Sequence, residues 1–205
     1  MGELALFSGF LAIYALIGIF SSIIGLVLFI LKGFSIYEMS KRLGIKKAFL
    51  GFIPLVSVFA FGRVAEKYQK ADGSKSAKFG ALLLILNILQ YIVLIVFIVL
   101  VVIAAFEIYN FAELAVLEDT VMELSMFASV IPVIISYFVL FSISLAFTIL
   151  YYVAFFRVCK IFDDKDAVLF TVLSVVFSFL MPIFLFVIRK NKPVLYTEKM
   201  SSEEI

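Results

Sequence analysis

Long runs without a single charge alternate along this chain with short stretches that hold nearly all of its charges. Leu4–Leu31, Phe79–Phe106 and Met126–Phe156 are each free of Asp, Glu, Lys and Arg. Each exceeds the roughly 20 residues a helix needs to cross about 30 Å of hydrocarbon. The first holds 28 residues, about 42 Å as a helix, so it is expected to tilt or to extend into the headgroups. Two further apolar stretches are harder to place. Ala48–Gly62 has 15 residues between Lys47 and Arg63, about 22 Å as a helix and too short to cross. Pro54 near its middle predicts a helix–break–helix that re-enters or lies at the interface. Ala167–Ile188 has 22 residues and contains Pro182, so it either re-enters or forms a fourth span.

Between these runs the pattern turns amphipathic. Ile36, Met39, Leu43 and Phe34 are expected on lipid, with Lys41, Arg42, Lys46 and Lys47 toward headgroups, in a short surface helix ending near Gly44. Ala71-Asp72-Gly73-Ser74 reads as a turn. Within residues 107–125, Leu114, Leu117, Val121 and Leu124 are spaced as one face of a second short amphipathic helix. The pattern therefore predicts an all-α integral membrane protein, one membrane domain over residues 1–205. We favour three transmembrane helices plus two re-entrant or interfacial segments on the cytoplasmic side, with four transmembrane helices as the alternative.

Composition agrees: 65% of the residues are apolar and 16% charged, against about a quarter charged in soluble domains, and the mean hydropathy is +1.21. The net charge of +2 says little; its distribution fixes an orientation. Residues 32–78 carry ten Lys or Arg, whereas residues 107–125 carry five acidic residues and no basic one. The positive-inside rule places the first segment in the cytoplasm, the second outside, and the N-terminus outside. The tail from Arg189 onward is cytoplasmic if residues 167–188 re-enter. The N-terminus lacks a basic n-region, so its apolar run is expected to remain in the mature protein. Leu6 stands where a myristoylation signal wants Ser or Thr.

Candidate chemistry is sparse. Histidine is absent, which removes the commonest metal ligand and general base. No metal, cofactor or catalytic residue is expected, and no nucleic acid partner. Ser8, Ala15, Gly18, Ser22 and Gly25 recur at helical spacing, so Ala15, Gly18, Ser22 and Gly25 are candidates for close packing against another helix. Asn87 and Gln90, with Tyr91 beside them, form a polar intramembrane face. Ser136, Ser144, Thr148 and Tyr151 form a second. Either face would bond between helices or bind a small polar ligand. Lys41, Arg42, Lys46 and Lys47 are candidate contacts to anionic headgroups. Asp163, Asp164 and Asp166 read as a solvated turn in which Asp163-Asp164 caps the following helix, rather than as a metal site. Cys159 reads as an unmodified thiol.

Two stretches echo one another: Lys46-Lys47-Ala48-Phe49-Leu50 with Pro54 and Arg63, and Lys165-Asp166-Ala167-Val168-Leu169 with Pro182 and Arg189. Leu43-Gly44-Ile45-Lys46, Gly51-Phe52-Ile53-Pro54 and Gly62-Arg63-Val64-Ala65 resemble a segment of small uncharacterised multi-pass membrane proteins of bacteria. Ala167-Val168-Leu169-Phe170 through Phe186-Val187-Ile188-Arg189 resembles their closing stretch. The likeness covers about a third of the chain; it implies a bacterial plasma membrane and brings no activity. The functional expectation is a non-catalytic accessory, assembly or immunity-type component that packs against partner proteins, itself or lipid. A small oligomeric transporter or channel for a polar solute is the alternative.

Overall fold

The computed structural model describes residues 2–71, 78–115 and 123–193. Among these there is no strand. Six α-helices follow in order, α1 (Gly2–Arg42), α2 (Pro54–Ala71), α3 (Phe79–Ala115), α4 (Glu123–Phe162), α5 (Ala167–Val176) and α6 (Leu180–Ile188), with a 3₁₀ turn at Ala48–Phe52. Three stretches are long and apolar enough to cross a membrane: Ala12–Arg42, Phe79–Asn110 and Val130–Phe162. Contacts divide the chain into two compact units, Met1–Gly80 with Ala154–Ile205, and Ala81–Val153.

In the first unit, the core forms around the C-terminal third of α1. Gly33, Ser35, Ile36, Met39 and Ser40 are all buried. This corrects the expected surface helix. Nothing interrupts α1 at Lys32, and Ile36 and Met39 are buried in protein rather than laid on lipid. An apolar face at helical spacing has the same sequence pattern whichever apolar medium covers it. The helix ends where Gly44 takes the left-handed conformation at φ 64° and the Ile45 N–H bonds back to Ser40 O at 2.8 Å, which satisfies carbonyls left open at a helix end.

The segment after Lys47 keeps the expected order of helix, break and helix, with other bounds. Ile53, preceding a proline, is extended (φ −94°, ψ 115°) and ends the 3₁₀ turn. Pro54 then opens α2, where its missing N–H costs nothing. The break therefore falls at Ile53, Pro54 opens the second arm, and α2 continues beyond Arg63 to Ala71.

Residues 167–188 fold back on themselves. The Phe170 and Phe184 rings stack with centroids 4.6 Å apart, whereas 14 residues along one helix would separate them by about 21 Å. With 10 and 9 residues, the arms rise only about 15 Å each, half the hydrocarbon thickness. The segment is a helical hairpin with its tip at residues 177–179, not a fourth span. Pro182 sits third in α6, within the first turn, where the amide it lacks has no helical partner to lose. Asp163 and Asp164 do not cap α5: the residue at its N-cap is Asp166, whose side chain makes no capping bond.

In the second unit, α3 and α4 run antiparallel. The less exposed positions of α3 include Leu83, Asn87, Gln90, Val93, Phe97, Leu100 and Ala104, and those of α4 include Val133, Ser136, Leu140, Ile143 and Phe147. Steps of three and four make each set one seam. The Phe97 and Tyr137 rings meet across it at 6.3 Å. Residues 107–115 continue α3 instead of starting a separate amphipathic helix; Leu117 and Val121 lie outside the described residues.

Candidate functional site

Glu38, Arg42 and Arg189 gather in the first unit, around the end of α1. Glu38 is the single acid in the basic run from Lys32 to Lys47. Its Oε1 accepts from Arg42 Nη2 at 3.3 Å, and its Oε2 accepts from Arg189 Nε at 2.9 Å. The Arg189 guanidinium lies 3.4 Å from the centroid of the Phe186 ring and 5.5 Å from that of Phe34, and its Nη1 donates to Phe186 O. The end of the hairpin is thereby tied to the end of α1, with Phe34 and Phe186 in tilted contact at 6.4 Å.

On the 3₁₀ side the fit depends on glycine. A Cβ at Gly51 would stand 3.1 Å from Gly33 O and from the Ile36 side chain. Farther along α2, a Cβ at Gly62 would come within 2.6 Å of Gly80 Cα, so α2 and the first turn of α3 touch backbone to backbone. Beside that crossing, Glu66 Oε1 accepts the Gly80 N–H at 2.8 Å, filling one of the open donors at the start of α3. Arg157 lies over the Phe79 ring at 4.5 Å; its Nη1 and the Ser40 Oγ are buried without a hydrogen bond among the described residues.

Two clefts open on the loop at residues 44–47. One, of about 560 Å³, is lined by Gly44, Lys46, Lys47, Leu50, Phe59, Arg63, Glu66 and Lys67. The other, of about 660 Å³, is lined by the same loop with Tyr37, Lys41, Ala48 and Phe49. Of the four candidate headgroup residues, Lys41, Arg42, Lys46 and Lys47 are all exposed, but Arg42 is held by Glu38. Lys46 and Lys47 face Arg63 and Lys67 across the first cleft, a pairing that the sequence leaves unread because α2 is needed to bring them together.

The remaining candidates are dispersed. Ala15, Gly18, Ser22 and Gly25 lie on an exposed stretch of α1, with open space over Gly18 and Gly25; Ser22 Oγ donates to Gly18 O at 2.8 Å. Asn87 and Gln90 are half-buried on the α3 seam, while Tyr91 points outward. Ser136 and Ser144 are half-buried on α4 and Thr148 is exposed. Ser136 Oγ donates to Val133 O at 2.9 Å, so its hydroxyl is spent on its own helix. The cavity between α3 and α4, about 400 Å³, is lined by Val93, Val96, Leu100, Pro132, Ile135, Ser136 and Val139. Asp164 pairs with Lys160 at 2.6 Å, no group of three or more metal-ligating side chains occurs among the described residues, and Cys159 is fully buried.

The fold and this site define a class: a multi-helix membrane protein with three apolar helices of spanning length and a basic, glycine-fitted cluster around the end of the first. No family model, curated protein or solved structure matches the chain.

Proposed function

We propose that this chain is a non-catalytic component of a plasma-membrane assembly that offers α1 to the helix of a partner protein. The observation that carries this reading is the exposure of α1. Its residues 12–27 are all exposed in the isolated chain, and a Cβ at Gly18 or Gly25 would meet nothing within 4 Å. Lipid supplies no hydrophobic drive for helices to associate, so packing there relies on small residues that allow close approach. Ala15, Gly18, Ser22 and Gly25 supply such a face. The distribution of Lys and Arg supports an orientation with the basic cluster in the cytoplasm and the N-terminus outside.

A photoreactive residue at Ser22 is expected to cross-link to protein, and one at Phe20, on the opposite face, to lipid. Lipid adducts alone from both positions would remove the proposal. The alternative reading, a small oligomeric transporter, draws on Asn87 and Gln90, amides half-buried on the α3 seam with no hydrogen bond among the described residues. It requires solute flux in reconstituted vesicles that disappears in Asn87→Leu/Gln90→Leu.

A further inference from the structure

We propose that the cleft between residues 44–47 and α2 binds the headgroup of an anionic phospholipid drawn from the surrounding bilayer. Four cations line it: Lys46 and Lys47 from the loop, Arg63 and Lys67 from successive turns of α2. None of the four forms an ion pair with another described residue. Like charges gathered on one cleft repel one another, and an anion between them removes that repulsion. The single carboxylate at the rim, Glu66, has Oε1 engaged by the Gly80 N–H.

Arg63 and the Lys47 backbone are held in place. The Arg63 guanidinium lies 5.8 Å from the Phe59 ring centroid, and Lys47 is held in the left-handed region at φ 65°, an uncommon conformation for a side-chain-bearing residue that persists where the surroundings impose it. The cleft's volume of about 560 Å³ falls in the roughly 300–1,000 Å³ range of small-molecule sites.

The neighbouring surface selects a lipid over a soluble phosphate. Leu50 and Phe59 line the cleft, and Phe49, Phe52, Ile53 and Leu55 are exposed immediately along the chain, from 41% to 56%. A basic rim beside exposed apolar side chains matches a molecule with an anionic head and acyl tails. Lys41 and Arg42 lie outside this cleft, and Arg42 is already committed to Glu38.

The test is native mass spectrometry of the full chain released from nanodiscs of phosphatidylcholine containing phosphatidylglycerol. The wild type is expected to retain phosphatidylglycerol in preference to phosphatidylcholine. Each cation beside an anionic headgroup contributes about fivefold in affinity, so Lys46→Gln/Lys47→Gln should weaken retention roughly 25-fold. Arg63→Gln/Lys67→Gln should do the same. The Arg63 stem packs near Gly80, so the exposed lysine pair is the variant that leaves the packing intact. Lys190→Gln/Lys192→Gln, two basic residues outside the cleft, should retain the lipid as the wild type does. Unchanged retention in both cleft variants would overturn the site. An equal loss in the Lys190/Lys192 control would reduce it to general surface charge. Displacement of the lipid by millimolar inorganic phosphate would assign the cleft to a soluble anion instead.

Discussion

At Gly62 and Gly80 two helix backbones approach so closely that a Cβ on the first would stand 2.6 Å from the Cα of the second. Backbone cannot rotate away as a side chain can, so Gly62→Ala is expected to destabilise the first unit by about 1–3 kcal/mol. Unfolding in mixed micelles would measure it. Gly18→Ala, with open space around it, serves as the control that leaves the isolated chain unchanged. Glu38 provides a second residue-level test. Its pair with Arg189 is only partly shielded, with side-chain exposures of 25% and 12%, so solvent screening discounts it. Arg189→Ala is expected to cost about 1.5 kcal/mol. In Glu38→Gln the same substitution should cost measurably less, because the charged acceptor is already gone. At this scale the sequence shows which residues are charged but not which charges meet. Glu38 stands out as one acid among cations, and Arg42 is within its local reach, yet its second partner, Arg189, lies 151 residues away, a separation no local pattern encodes.

The elements were legible where length decides them. Three apolar runs emerge as three helices of spanning length, whereas the 22-residue run, long enough to cross or to re-enter, emerges as a hairpin that turns at residues 177–179, before Pro182 rather than at it. Legibility failed where one physical pattern has two outcomes. Ile36 and Met39 repeat at helical spacing whether covered by lipid or by protein, and only tertiary packing separates the two. Pro54 marks the break, but only the extended Ile53 before it settles that the proline opens the second arm rather than ending the first. The hairpin makes a prediction of its own. Because Arg189 bonds Glu38, single cysteines introduced at Lys192 and at Lys46, in Cys159→Ser, should react with an impermeant thiol reagent from the same face of the membrane. Labelling from opposite faces would mean that residues 167–188 cross.

For the whole molecule, composition establishes the solvent and the arrangement of contacts establishes a division of labour. A fitted cluster surrounds the end of α1, while the body of that helix is exposed to whatever lies beside it. A helix that packed only on lipid would have no use for small residues at Ala15, Gly18, Ser22 and Gly25, since large apolar side chains cover lipid equally well. The identity of the proposed partner is not written in this chain, because a packing face specifies closeness of approach and not what approaches. The most direct test is the mass and composition of the complex extracted with its native lipid. The account predicts a second protein in fixed ratio to this 23.0 kDa chain, lost in Gly18→Leu/Gly25→Leu. The chain alone with lipid, or a pure homo-oligomer, would contradict it.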